Sequence, residues 1–542
     1  VEAAFHLQHL QGFFRRGRMA KHFLRGAALA ALVFISAPAF AQDFSAQTLS
    51  EKIRVISADD FQGRKPGTVG EEKTLAWLQA EYEAMGLQPG GPNGQWLQTI
   101  EVLRLTPKAE AVVSTTVSGQ ASTVAAADGL IVRAINSAGL AAVENAPVVF
   151  AGYGITAPER EWDDYGDIDV TGKVVVVMSG SPSFGSQYRR FYAQEAYKAD
   201  EAFRRGAVGV ITVQSDFSRT LARNGRQQTL SPGSAELQFK GWLSGELAKS
   251  WGIGTAEEET LESGAFKARA LNVTVSVKAE EEKDILSTSN LIARLPGTEF
   301  PDETIIFSAH WDHVGTNDHP GDNIFNGAWD NASGTVGVVE MARQFAKNGP
   351  SKRTVVFLHA TAEEMGLLGA YGYTADPVYP LETTVADINI DMLPLSGPTR
   401  DVPIFGKGQN TLEDMLDVLA KAEGRYVSDD GQPEQGFYYR SDHFPFARAG
   451  VPALMPWHGV DFVDGGVETG KAAWQERFGR VYHRPSDEWS EDLDFTSAVE
   501  NLTLLYRLGR ELADSRVWPT WKPESEFGQV RARSETARAD RR

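Results

Sequence analysis

Residues 359–373, HATAEEMGLLGAYGY, put two glutamates, Glu363 and Glu364, where the apolar run RTVVFLHAT stops. Like charges at close range repel, so a strand that ends in adjacent carboxylates calls for positive charge nearby. Other potential ligands stand at the ends of apolar runs in the same way. FSAHWDHVG offers His310 and Asp312, GAWDNASG places Asp330 just ahead of a helix, NIDML carries Asp391, and VYHRPSDEW carries His483 in a loop. Imidazole nitrogen and carboxylate oxygen without thiolate suit Zn²⁺, with Co²⁺ or Mn²⁺ as substitutes. Five such ligands, one carboxylate bridging, hold two ions about 3.5–4 Å apart. Taken singly, each residue has an ordinary reading. Glu-Glu is commonly a solvated pair, Asp391 a cap, and His313, His319 and His458 surface or satisfied core histidines. Five residues of these types at the strand ends of one region carry the metal reading together.

The elements that must position them follow from periodicity. SAQTLSEKIRVISADDFQG and GEEKTLAWLQAEYEAMGL are amphipathic helices, the second closing at Gly86, and QWLQTIEVLRL reads as a strand. From about residue 110 the texture turns to short strands and turns. APVVFAGYGI and KVVVVMSG read as buried strands, and EAYKADEAFRRGAVGVITV as a helix running into another. Beyond SNLIARLPG, strands alternate with helices as far as a last helix over 494–514. That alternation predicts a three-layer α/β/α sandwich around a mostly parallel mixed sheet, with its chemistry beyond the carboxyl ends of the strands. The expected organisation is a leader over 1–41, the first part of the main domain over 42–109, a β-rich insertion over 110–285, the remainder over 286–520 and a disordered tail over 521–542. The tail is so read because GQVRARSETARADRR offers little apolar surface.

A chain of 542 residues is long enough for two or three domains. Its formal charge of −19 disfavours nucleic acid and anionic membranes as partners. It has no cysteine, which excludes disulfides and a lipid anchor on sulfur. From Met19 a basic start (Lys21, Arg25), an apolar core over 27–35 and Ala39-Phe40-Ala41 form a signal-peptide pattern cut after Ala41. No later stretch is apolar enough to span a bilayer. The expected location is therefore the periplasm or the medium.

The strings HWD, WDNASG, AEEMGLLG, INIDM, SDHFPFARAGVPAL and YHRPSDEW, in that order, resemble metallopeptidase family 28, the secreted di-zinc aminopeptidases and their carboxypeptidase relatives. The likeness covers 288 to about 515 closely and 45–105 more loosely. NAPVVFAGYGI, GKVVVVMSG and KADEAFRRGAVGVI resemble the protease-associated domain that many members carry as an insertion. The resemblance implies two Zn²⁺ ions per chain: Asp330 bridges them, His310 and Asp391 complete one site, and Glu364 and His483 complete the other. It implies Asp312 as the acceptor for the second N–H of His310, Glu363 as general base, and Tyr438 as the hydroxyl that steadies an oxyanion, with Tyr439 one residue away. Trp329 stands where several relatives carry a second acid.

The implied function is a secreted exopeptidase, foremost an aminopeptidase, with peptides as substrates. A carboxypeptidase or dipeptidase of the same family, a one-zinc glutaminyl cyclase, and a non-enzymatic binding protein on the same fold are the alternatives. Arg440 and Arg484 keep the carboxypeptidase option open, since each could meet a terminal carboxylate. The leader reading has a direct check. Mass spectrometry of protein recovered from the producing cell's envelope or medium should find a mature chain beginning near Gln42, and an intact leader on soluble cytoplasmic protein would contradict it.

Overall fold

The computed structural model describes residues 44–539 apart from 183, 185–190, 255–257 and 319, so the expected leader and His319 lie outside the described residues. Four parallel strands form the centre of the main sheet, in the order Ala453–Leu454, Thr384–Asn389, Phe300–His310, Arg353–Ala360. All eight residues of Arg353–Ala360 are buried, as a strand covered on both faces requires. The sheet continues antiparallel through the long strand Arg269–Leu295 and then Leu97–Pro107. His310 pairs in register with Ala360, so the chain leaves both central strands at the same edge.

Alternation along Phe300–His310 assigns the two faces. Phe307 meets Phe345 of the helix Gly334–Lys347, and a Cβ on Gly509 of the helix Thr496–Asp514 would lie 2.4 Å from its ring. Its neighbour Ser308 turns the other way, donating to Asp387 at 2.7 Å and to Asn389 at 3.1 Å. Asn389 in turn reaches the loop that precedes the helix His443–Arg448. The helix Ala46–Ile56 joins the first layer through Leu49, Ile53 and Ile56, and Ser45 caps it by accepting the Thr48 N–H at 3.2 Å. The result is the expected α/β/α sandwich with a mostly parallel sheet.

The insertion forms its own sheet, in which Leu140–Phe150, Val174–Met178, Gly209–Gln214 and Phe239–Ser244 run parallel. The long strand does not break at 285. Residues 269–280 pair with Leu140–Phe150 inside the insertion, while 281–295 pair with Leu97–Pro107 and Arg353–Ala360 in the main sheet. Contacts also close across the other side. Asp200 of the helix Glu195–Arg204 pairs with Arg448, and Phe191 lies 5.2 Å from Phe527 and 6.3 Å from Phe444.

Phe527 belongs to the stretch expected to be a disordered tail, and that expectation is corrected. Helices span Gly528–Ala532 and Glu535–Ala539. Arg531 is buried, donating to the carbonyls of Leu381 and Thr384 at 2.9 and 2.8 Å, and Trp521 donates to Gly450 at 2.9 Å. A count of apolar residues overlooked that a guanidinium can be tied down by carbonyls.

Phe307 tests the layering. Replacing it with Ala removes a fully buried ring between a strand and two helices, at a cost of about 3–5 kcal/mol. Chemical denaturation should show a clearly lowered midpoint; an unchanged one would contradict the packing described.

Candidate metal centre

Four turns at the carboxyl edge of the sheet carry four of the five candidate ligands, and the fifth, His483, follows the helix Gly466–Val481 rather than a strand. In the first turn, His310 ends its strand and its Nδ1 lies 3.2 Å from the main-chain carbonyl of Asp312. That bond directs Nε2 into the site. The Asp312 carboxylate, expected to be the acceptor, stands 3.7 Å from Nδ1 and accepts the Glu363 main-chain N–H at 3.0 Å instead. Asp312 thus orients both His310 and the glutamate turn, the first through its carbonyl.

In the second turn the backbone of Asp330 is held from behind. The Asp487 carboxylate accepts the N–H groups of Trp329 and Asp330 at 3.0 and 2.9 Å. Asn331 binds across to the third turn, its Oδ1 accepting Met392 N–H at 3.0 Å. There Asp391 accepts the Ser441 hydroxyl at 2.7 Å, and Ser441 accepts Asn389 Nδ2 at 2.7 Å.

In the fourth turn Ala362 takes φ 51°, and the Glu363 carbonyl accepts the N–H groups of Gly366 and Leu367 at 2.8 and 2.9 Å. The chain therefore turns sharply at the glutamates and their side chains diverge. Glu363 Oε2 is 3.9 Å from His310 Nε2, whereas Glu364 Oε2 is 3.0 Å from His483 Nε2. Asp330 stands between, with Oδ1 3.5 Å from His310 Nε2 and Oδ2 3.1 Å from His483 Nε2. Asp391 Oδ1 is 3.3 Å from His310 Nε2. All five expected ligands and Glu363 meet around Asp330, which offers one oxygen to each side.

The electrostatics separate the two glutamates in the metal-free chain. Burial pushes Glu363 far above the carboxylic range, with Glu364, Asp391 and Asp442 adding to it against the pull of His310. Burial also raises Glu364, but hydrogen bonds from His313 and His483 outweigh it and hold this group well below the usual range. His483, despite its burial, is pushed up to about 10 by Asp330 and Glu364. One glutamate is disposed to hold a proton and the other to stay ionised.

The sequence reading missed two residues. His313 was taken as ordinary, yet it is buried with Nδ1 2.6 Å from Glu364 Oε1, and could join Asp330 and Glu364 around an ion. Its signal was its place three residues after His310 in one turn. Tyr438 does not line the cavity at the ligands. Its ring packs against Gly406, where a Cβ would lie 2.2 Å away, and it lines a neighbouring cavity with Lys407, Gln409 and Tyr439. The phenol beside the ligands is Tyr482, which lines their cavity and is pushed above its ordinary range first by burial and then by Asp330 and Glu363. It belongs to an aromatic stack, Trp474–Phe478–Tyr482–His483, with centroid spacings of 5.1, 4.4 and 3.9 Å, that runs from the helix Gly466–Val481 past its end. His458 keeps its ordinary role as a buried ring against Trp457 and Trp329.

Residues 290–506 match the model of peptidase family M28, and residues 135–236 that of the PA domain. A probable zinc metalloprotease of Pyrenophora teres f. teres is 31% identical over 179 residues, covering 32% of this chain and 37% of that protein. The probable lipoprotein aminopeptidase LpqL of Mycobacterium tuberculosis is 25% identical over 336 residues, covering 60% of this chain and 59% of its own. The chain thus spans less than two thirds of either relative. Among solved structures, the zinc aminopeptidase BSAP of Bacillus subtilis aligns over 88% of this chain and 96% of its own, with 20% identity and a TM-score of 0.42.

The divergence of the glutamates predicts two different outcomes for one chemical change. Glu364→Gln should lose or weaken one bound zinc, since its carboxylate faces His483 and Asp330. Glu363→Gln should keep the wild-type zinc content after dialysis. Metal analysis of both variants decides it, and the reverse pattern would exchange their roles.

Proposed function

The chain belongs to peptidase family M28 and carries an inserted PA domain, and from that premise we propose that it is an exported di-zinc exopeptidase acting on the amino ends of peptides. The observation that carries the proposal is Asp330, a single carboxylate with one oxygen toward His310 and Asp391 and the other toward His483 and Glu364. The donor set fits zinc. It combines imidazole nitrogens and carboxylate oxygens, and it crowds acids that need positive charge among them. His310 and Asp391 would hold one ion and Glu364 and His483 the other, with Asp330 shared. Zinc bound there supplies Lewis acidity to a substrate carbonyl and acidifies a water.

The remaining chemistry falls to side chains of this protein. Glu363 Oε2 takes the proton of the attacking water and returns it to the leaving nitrogen. The Tyr482 hydroxyl, rather than Tyr438, donates to the oxyanion. Asn389 and Ser441 hold Asp391 in place through the two 2.7 Å bonds. The acids lining the cavity, Asp330, Asp391 and Glu363, are taken by the ions and the base, so the preference for amino ends follows the aminopeptidase relative rather than the lining. Arg440 also lines the cavity, packed over the Phe437 ring, and supports a second reading in which a terminal carboxylate is recognised. Arg484 is not among the lining residues, and a glutaminyl cyclase would leave one ion's ligands unused. The presence of all five ligands together with Glu363 speaks against a binding protein that has lost its chemistry. Export rests on the leader pattern, and no helix among the described residues is long and apolar enough to cross a membrane.

A chelator should abolish hydrolysis of aminoacyl substrates and added Zn²⁺ restore it, with Asp330→Ala the most damaging ligand change; full activity in metal-free protein would refute the proposal. Glu363→Gln should lower kcat by roughly 10²–10⁴-fold with KM little changed, as expected for a lost proton carrier. Acetylating the substrate's amino terminus should sharply reduce turnover. Rapid release of carboxy-terminal residues from blocked peptides would favour the Arg440 reading instead.

A further inference from the structure

Behind the centre, away from the cavity, lies a guanidinium that the chemistry above leaves unused. Arg64 is fully buried. It sits in a run of three left-handed residues, Gln62, Gly63 and Arg64, at φ 49°, 62° and 51°. Two of these carry side chains for which that region is unfavourable, so the surrounding structure must hold the run in place. Gly63 is forced, because a Cβ there would lie 2.4 Å from the Phe325 carbonyl oxygen and 2.5 Å from that of Gly315. The run delivers the Arg64 side chain into the gap between the two turns that carry His310 and Asp330.

There it donates only to carbonyls. Nε reaches Trp311 at 3.0 Å, Nη2 reaches Gly327 at 2.8 Å, and Nη1 reaches Asn326 at 2.7 Å and Ile56 at 2.9 Å. Its own carbonyl accepts the His313 N–H at 3.4 Å. Trp311 follows His310 directly, and Gly327 precedes Asp330 by three residues. One rigid planar fork therefore ties together the backbones of both ligand turns. Its charge is also felt by Asp487, Asp330, Asp312 and Glu364, and Arg64 is not among the residues that line the ligand cavity.

We propose that Arg64 is a positioning residue that sets the spacing between the His310–His313 turn and the Gly327–Asp330 turn, and thereby the affinity of the centre for zinc. The inference rests on the di-zinc reading. A lysine in its place keeps the charge but presents one ammonium where the fork presents separate, fixed donors, so it can satisfy some of these carbonyls and not all. The spacing should loosen with the charge retained.

The test uses the full chain as wild type, Arg64→Lys and Arg64→Gln, with zinc content and affinity measured by competition against a chromophoric chelator. Melting temperatures of the zinc-free proteins and kcat and KM at saturating zinc are measured in parallel. The expected result is a folded Arg64→Lys that binds zinc about tenfold or more weakly, in the range seen when groups orienting metal ligands are removed, with Arg64→Gln weaker still. With zinc saturating, kcat of Arg64→Lys should stay depressed while KM changes little. Folded variants with wild-type zinc affinity and kcat, whatever their melting temperature, would overturn the proposal. So would failure of both variants to fold, since Arg64 would then support the fold at large. A wild-type chain that binds no zinc would overturn the di-zinc reading itself, a separate outcome.

Discussion

Mutual repulsion among carboxylates governs the carboxyl edge of this sheet. Asp312, Asp330, Glu363, Glu364, Asp391, Asp442 and Asp487 are gathered where little water reaches them. A buried carboxylate is tolerated when it is paired, hydrogen-bonded or neutral, and the surroundings of these seven show all three solutions. Asp487 and Asp312 are stitched to backbone N–H groups. Glu364 is flanked by two histidines. Glu363 and Asp442 are driven toward the neutral form by burial, Asp442 to about 8. Arg64 supplies a fixed positive charge from behind. What these devices leave uncompensated is the space around Asp330, where the proposed pair of zinc ions would complete the balance.

The inserted domain is tied into this arrangement more closely than a bead on a linker would be. Asp200 binds Arg448, and Phe191 packs on Phe444, both residues of the helix that follows Ser441 and Asp442. Ser441 is the residue that steadies Asp391. A displacement of the insertion relative to the main sheet would therefore be felt within a few residues of a ligand. The aromatic stack from Trp474 to His483 plays the corresponding part on the other side. It makes one wall of the cavity and an expected ligand parts of a single rigid spine.

Much of the centre was legible because its determinants are local. A buried strand, a break in hydrophobicity and a histidine or acid at that break are all short-range signals; His310, Glu364 and Asp391 stand at such places, whereas Asp330 leads into a helix and His483 follows one. What was not legible depended on groups distant in sequence. The role of Asp312 passes partly to its carbonyl, which no side-chain pattern encodes. Tyr482 went unassigned because VYHRPSDEW was read only as the loop carrying His483, although Trp474, Phe478 and Tyr482 fall at helical spacing. The tail was misread because Arg531 and Trp521 find their partners at Leu381, Thr384 and Gly450. The edges of the insertion blurred for a related reason, since a strand shared by two sheets has no change of texture to mark a border.

That shared strand also orders events in time. Leu97 pairs with Leu291 and Pro107 with Glu281, so the segment before the insertion finds its partner roughly two hundred residues later. The order of synthesis then matters. Until the returning strand has been made, Leu97–Pro107 has only the short strand Gln228–Leu230 of the insertion to pair with. The insertion's parallel strands lie wholly between these two arms and can associate first. Once folded, they bring residues 107 and 281 together and turn a long loop closure into a short one. In this sense the inserted domain acts within its own chain as a template that lets the main sheet close.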